Sequence, residues 1–221
     1  HPLRGKPLIS HVIRSIQSAG ISDVYIVVGF KGDDVIAALG PSFHYVWQRQ
    51  QLGTGHAVMQ AEPELENYGG RIIVACGDVP LIRPQTFREL VKKSEATNVK
   101  AVVLTMEIEN PTGYGRIVKD EKGGFIRIIE EKDAKPEEKL IREVNTGTYI
   151  FDSNYLFKGL KTLTNKNAQG EYYLTDVLEF VRESGLEVQT LLLKDPVEGS
   201  GVNSREELAR LEQYLENSDM D

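Results

Sequence analysis

Four short apolar runs, Val24 to Val28 (VYIVV), His44 to Trp47 (HYVW), Ile72 to Cys76 (IIVAC) and Ala101 to Met106 (AVVLTM), recur every 20 to 30 residues, and they constrain this chain more than any other feature. Three of them lack the polar alternation of a half-exposed strand, so they read as strands covered on both faces. Helical spacing fills the intervals: Leu8, Ile9, Val12, Ile13 and Ile16 before Gly20, then Asp33 to Leu39, then Ala57 to Glu62 stopping before Pro63, then Phe87, Leu90 and Val91 after Pro84. Strand and helix in alternation predict an α/β fold, a mostly parallel sheet with helices on both faces. The first helix, starting at about Lys6, has no strand before it, so one strand and the loop after it are expected to be missing from the sequence.

Beyond about residue 110 the segments become shorter, more polar and alternating (YGRIVKD, GGFIRIIEEKD, REVNTGTYIF), which predicts antiparallel strands or a small lobe beside the first sheet. A helix over Glu171 to Glu183, a strand over 186–193 and a final helix from Ser204 to Leu215 follow, and Ser204-x-x-Glu207 has the spacing of a capping box. With no repeat and no linker, we read residues 1–221 as one domain with a subordinate lobe, dividing at about 108 and about 203 and ending in a C-terminal helix over 204–217. Lys plus Arg number 26 against 33 Asp plus Glu, a net charge of −7 without a basic run, so nucleic acid is not an expected partner. No apolar run approaches the roughly 20 residues that span a bilayer, so no membrane partner is expected. The single cysteine, Cys76, permits no internal disulfide, and the four histidines show no metal-ligand spacing. A reducing, cytoplasmic setting is expected; the oligomeric state is left open.

Several motifs carry chemistry. In IIVACGDVP a buried strand ends in Gly77-Asp78 at the edge where open α/β sheets bind ligands. A carboxylate there suits a hard divalent cation such as Mg²⁺, or simply caps the turn before Pro80. Asn203, which has a side-chain oxygen, could join Asp78 as a ligand or merely precede the Ser204 cap. Gln48 to Ala57 (QRQQLGTGHA) lies between a strand and a helix start; its glycines allow a base or phosphate close to the backbone, its Gln48 amide matches a uracil edge, and an ordinary turn is the alternative. NPTGYGR (110–116), the run Glu130-Glu131-Lys132-Asp133, and EVNTG (143–147) set polar groups beside glycines, as the hydroxyl-rich face of a sugar requires; the charged run alone would be a solvated surface. No nucleophilic triad or G-x-S-x-G elbow is present.

Taken in order, HPLRGKPLISHVI, QLGTGHAV, GDVPLI, NPTGYGRIV, IIEEKDA, EVNTGTYIF, NAQGEYYLTD and EGSGVNSR resemble the sugar nucleotidyltransferases, and most closely the uridylyltransferase domains of bacterial UDP-N-acetylglucosamine pyrophosphorylases. The resemblance spans nearly the whole chain, and implies a nucleotide-binding half over about 1–108 and a sugar-binding half over about 109–203. It implies a Rossmann-like domain that joins UTP to N-acetylglucosamine 1-phosphate with Mg²⁺, giving UDP-N-acetylglucosamine, a cell-wall (peptidoglycan) precursor, and pyrophosphate. It implies Asp78 and Asn203 as catalytic metal ligands, Gln48, Gly53 and Thr54 around the uracil, Cys76 and Gly77 in the substrate site, and Gly115, Glu130 and Asn145 around the sugar. The family's LAAGxGTRM loop and its Pro-Lys pair, which cradle the triphosphate, are absent from the sequence. Bifunctional members continue into a hexapeptide β-helix acetyltransferase, and no such activity is expected of this chain. Ser204 stands where the family often has Asn or Asp, and Cys76 where it often has Tyr. The alternatives are a uridylyltransferase for another sugar 1-phosphate and a non-catalytic nucleotide-sugar-binding module.

Overall fold

The computed structural model describes residues 2–65 and 67–218; His1 of the opening motif lies outside the described residues. A two-residue hairpin, β1 (Pro2–Leu3) with β2 (Lys6–Pro7), leads into α1 (Leu8–Ser18), so a short turn stands where the reading expected no strand at all. Then come β3 (Tyr25–Val28), α2 (Gly32–Leu39), β4 (His44–Trp47), α3 (Thr54–Gln60), α4 (Glu62–Leu65), β5 (Arg71–Val74), α5 (Pro84–Ser94) and β6 (Val99–Glu107). The second half holds β7 (Arg116–Lys119), β8 (Phe125–Ile129), β9 (Glu143–Asp152), α6 (Ser153–Leu160), α7 (Asp176–Glu183), β10 (Glu187–Leu192) and α8 (Arg205–Ser218).

Six strands form one sheet. Its centre is β9, with β5 on one side and β6 then β10 on the other. Ile150 of β9 faces Ile73 across one ladder and Val102 across the other. Because β9 is antiparallel to both β5 and β6, and β10 is parallel to β6, strands β5, β6 and β10 point one way and β9 runs against them. Strands β3 and β4 pair in parallel as a separate two-stranded sheet. The segment expected in a lobe beside the first sheet therefore supplies the sheet's middle strand. Burial explains it: residues 148–151 are all buried, which only a strand covered on both faces and both edges requires.

The two faces of the sheet bury separate cores. Ala101, Val103, Tyr149 and Phe151 pack on α6 and α7 through Leu156, Leu160, Val177, Leu178 and Val181. Val102, Leu104 and Ile150 pack on α5 through Phe87 and Leu90. Fully burying a side chain of this size contributes about 1.5–3 kcal/mol, so these layers dominate stability. The hairpin β7–β8 joins β9 through Arg116 opposite Val144 and adds Phe125 and Ile128 to the α7 core.

Three helices differ from expectation. α6 has no counterpart in the sequence reading; Asp152 caps it, accepting from Asn154 N–H at 3.2 Å. α3 starts at Thr54, and Pro63 falls in the first turn of α4, where its missing N–H is not needed. Residues 171–175, expected as helix, do not belong to α7, because Tyr172 is held by main-chain hydrogen bonds to Leu52 and Gly55. The capping box is present: Glu207 N–H donates to Ser204 Oγ at 3.1 Å and Ser204 N–H to Glu207 Oε2 at 2.9 Å.

Candidate active site

Strand β5 runs out into Cys76-Gly77-Asp78 beside the first half of β9. There β9 bulges: its register against β6 shifts around Leu104, Thr146 Oγ1 donates to the Leu104 carbonyl at 2.8 Å, and Gly147 adopts φ 76°. A Cβ on Gly147 would stand 2.7 Å from Cys76 Sγ, so both conformation and space demand glycine. The Cys76 thiol donates to the Gly147 carbonyl at 3.5 Å; burial first, and the Asp78 charge second, push its pKa up to about 12. It is a packing group here and not a nucleophile.

Asp78 and the Asn203 loop are tied together by the Val202 N–H, which donates to the Asp78 carbonyl at 2.9 Å. The Asp78 carboxylate makes no ion pair among the described residues. Burial raises its pKa, its own main-chain N–H works against that, and the Glu207 charge adds to the rise. Such a carboxylate has lost water and gained no positive partner. Asn203 is exposed, and its N–H donates to Glu207 Oε2 at 2.6 Å. Tyr114 comes to the same place: burial raises the pKa of its phenol, the nearby Gly201 main chain works against that, and the charges of Glu207 and Asp78 add to the rise.

Gly115, Glu130 and Asn145 are brought together behind Cys76. Asn145 N–H donates to the Gly115 carbonyl at 2.9 Å, and a Cβ on Gly115 would lie 3.3 Å from Glu130 Oε2. The Asn145 amide is committed within the protein, donating to Tyr149 Oη at 2.6 Å and accepting from Gly147 N–H at 2.9 Å. It therefore shapes the bulge. Glu130 is pushed up by burial, against a 3.3 Å hydrogen bond from Thr175 Oγ1, with Asp176, Asp133 and Glu171 adding to the rise. Beside it opens a recess of about 200 Å³ lined by Arg127, Asp133, Asn167, Tyr173 and Asp176. The run Glu130 to Asp133 is thus more than a solvated surface: Asp133 accepts from Ala168 N–H at 2.9 Å and from Tyr173 Oη at 3.1 Å.

The Gly-Thr-Gly turn is clamped to residues 172–174. Tyr172 N–H donates to the Leu52 carbonyl and Gly55 N–H to the Tyr172 carbonyl, both at 2.8 Å, while Leu174 N–H donates to Thr54 Oγ1 at 3.1 Å. Gln48 crosses the same loop, its Nε2 donating to the Gly53 carbonyl and to His56 Nδ1, each at 3.1 Å. Gln48 Oε1 accepts no hydrogen bond among the described residues, so it can take a donor from a ligand. The strap 172–175 touches Thr54 at one end and Glu130 at the other, so the loop after β4 and the Gly115–Glu130–Asn145 group share one support.

A sheet edge that gathers an unpaired carboxylate, a glycine-rich loop and a polar recess can hold an anionic ligand with a cation. The family model described as "Nucleotidyl transferase" matches residues 1–196. This chain belongs to the nucleotidyl transferase family. The "Bifunctional protein GlmU" of Oceanobacillus iheyensis is 46% identical over 215 residues, covering 97% of this chain and 47% of the relative. That of Limosilactobacillus fermentum is 45% identical over 216 residues, covering 98% of this chain and 48% of the relative. The chain spans about half the length of these curated relatives. A solved UDP-glucose pyrophosphorylase complexed with UDP-glucose shares the fold, with a TM-score of 0.75 at 19% identity over 99% of this chain and 89% of that one. So does a Bacillus anthracis protein named for glucose-1-phosphate thymidylyltransferase, in complex with a sucrose, with a TM-score of 0.74 at 23% identity over 97% of this chain and 84% of that one.

Four residues of this candidate site escape motif reading. Tyr114 lies inside NPTGYGR, where the glycines draw attention instead. Tyr149 sits in the apolar run of β9 and reads as core, although its phenol touches Asn145. Glu207 reads only as a cap, and Thr175 has no signal in the sequence. No helix is long and apolar enough to cross a membrane among the described residues.

Proposed function

We propose that this chain is the catalytic domain of a uridylyltransferase that joins UTP to N-acetylglucosamine 1-phosphate, releasing pyrophosphate and giving UDP-N-acetylglucosamine. The observation that carries this reading is Asp78: a desolvated carboxylate without an ion-pair partner, with the Asn203 segment hydrogen-bonded to its own main chain. The 46% identity to GlmU proteins supports the choice of nucleotide and sugar.

No group of three or more His, Cys, Asp or Glu that could hold a metal exists among the described residues. A site offering one carboxylate and one amide oxygen fits Mg²⁺, which is held by one or two protein oxygens plus substrate phosphates and water. Asp78 and Asn203 would hold it; when bound, it neutralises charge on the triphosphate and the departing pyrophosphate. Gln48 Oε1 and the main chain at Gly53 and Thr54 orient the uracil, and Gly115 leaves the space a sugar hydroxyl face needs beside Glu130. With Cys76 held protonated and no activated nucleophile, the sugar phosphate oxygen itself attacks the α-phosphorus. A bond forms there as the bond from the α-phosphorus to the bridging oxygen breaks, and the electron pair leaves on pyrophosphate. The protein contributes position and charge.

The test is pyrophosphate release by the full-length protein with UTP, N-acetylglucosamine 1-phosphate and Mg²⁺. Equal turnover with glucose 1-phosphate or with dTTP overturns the substrate assignment. Binding of UDP-N-acetylglucosamine without any turnover overturns the enzymatic one.

A further inference from the structure

Arg116 is buried, with its side chain at 1% exposure. Its Nη2 meets Glu131 Oε2 at 2.6 Å, its Nη1 donates to the Tyr114 carbonyl, and it pairs in the sheet with Val144. Glu131 in turn accepts from Gly113 N–H at 3.3 Å and pairs with Lys139 at 3.4 Å. Each group that Arg116 touches is the chain neighbour of a candidate sugar-site residue: Tyr114 precedes Gly115, Glu131 follows Glu130, which lines the recess, and Val144 precedes Asn145.

We propose that Arg116 is the positioning residue of the sugar site, a buried fork that fixes loop 113–115, the end of β8 and the start of β9 in one register. This inference rests on the uridylyltransferase reading for its substrate. The guanidinium touches no ligand; it acts through Gly115, Glu130 and Asn145.

Two physical arguments favour position over stability. The guanidinium gives up its hydration at 1% exposure while Glu131 keeps 26%, so solvent screening weakens the attraction that would offset that loss and the pair gains little net stability. Here the arrangement is not even fully satisfied, since Arg116 Nε has no hydrogen-bond partner among the described residues. A planar fork is also the group best suited to hold two acceptors at a fixed angle, which a lysine, a single point charge, does not do.

The consequence is selective. The clamp holds loop 113–115 and the ends of β8 and β9 directly, whereas the Gln48 loop is held by residues 172–174 and reaches Glu130 only through the Thr175 hydroxyl. Loosening it costs sugar phosphate affinity and spares UTP.

The experiment compares wild type, E131Q and R116K in the full-length protein, with KM for N-acetylglucosamine 1-phosphate and for UTP measured separately. E131Q keeps its shape and can still accept from Gly113 N–H, so it is the variant that folds even if changes at the buried arginine do not. Expected are a rise of about tenfold in the KM for the sugar phosphate, a UTP KM within about twofold of wild type, and a partial effect in R116K. Amide hydrogen exchange over 110–116 and 129–133 supplies a readout independent of turnover, and is expected to quicken in E131Q with global unfolding unchanged. An unchanged sugar phosphate KM in E131Q and R116K, or equal loss for both substrates, overturns the positioning role. Absence of turnover in wild type overturns the proposed function instead, and unchanged exchange in E131Q then still refutes the clamp.

Discussion

Replacing Gly53 by alanine tests whether the loop after β4 is held as tightly as its geometry demands. Gly53 has φ 102° and ψ 176°, a region open essentially only to glycine, which costs another residue about 1–3 kcal/mol. A Cβ there would also lie 2.8 Å from the Tyr172 carbonyl oxygen and 3.0 Å from its nitrogen, backbone atoms that cannot swing aside. Relieving that overlap costs about another 1–3 kcal/mol, or sacrifices the pair of 2.8 Å hydrogen bonds linking Leu52 and Gly55 to Tyr172, each worth about 1 kcal/mol. The expected loss is about 2–6 kcal/mol, a large share of the roughly 5–15 kcal/mol of a typical domain. Two controls separate the causes. Gly170 has φ 67° with nothing near its Cβ position, so G170A isolates conformational strain and is expected to cost about 1 kcal/mol. Gly55 has no positive φ but a Cβ position 2.6 Å from Leu163 Cδ1 and 2.9 Å from the Tyr172 carbonyl, so G55A isolates crowding. Urea unfolding followed by circular dichroism gives all three values on one scale, provided the slopes agree. A G53A loss within about 0.5 kcal/mol of that of G170A would refute the clamp, because surface-like changes fall in that range.

Asp78→Asn keeps the side-chain shape and removes the charge; its pyrophosphate release should fall on the order of 100-fold or more, with Mn²⁺ binding in the presence of UTP weakened in parallel when followed by electron paramagnetic resonance. Glu207→Ala should cost about 1–2 kcal/mol by removing the acceptor shared by Asn203 and Ser204 N–H, whereas Glu207→Gln, which keeps an acceptor oxygen, should cost less than half as much; equal losses would show that the charge and not the hydrogen bonds matters. Burial, with Glu179 and Asp133 adding, raises Asp176 from 3.8 to about 6, so the folded state holds the extra proton between about pH 4 and about pH 6 and this group's stabilising share is lost as pH rises through that window. Asp176→Asn should therefore melt close to wild type at pH 4 and above it at pH 7.5, and the reverse order would contradict the burial argument.

Much of the site was legible as motif. Gly77-Asp78 at a strand end, Gly-Thr-Gly before a helix and the Ser204-x-x-Glu207 box all depend on neighbours a few residues apart, so local sequence reports them. The roles inside each motif were less legible. Asn145 reads as a side chain free for a ligand, yet its amide is used by Tyr149 and Gly147. Glu131 reads as surface, yet it is the counter-charge of the buried Arg116. In the first case the partner sits at the β9 bulge and in the second across the β7–β8 hairpin, and no spacing rule encodes either contact.

The sequence alone determined the α/β class, the succession of buried strands and amphipathic helices, and the set of glycine-bearing loops, because hydrophobic period and turn chemistry are properties of contiguous residues. Only the tertiary structure decided that β9 enters between β5 and β6, that residues 171–175 form a strap instead of helix, and that Asp78 stands without an ion-pair partner beside Asn203. Those outcomes are set by burial and hydrogen bonding between segments far apart in the chain, such as Leu52 with Tyr172 and Asp78 with Val202. Local propensity yields to such contacts, because a strand or loop takes the conformation that satisfies its buried polar groups and covers its apolar ones.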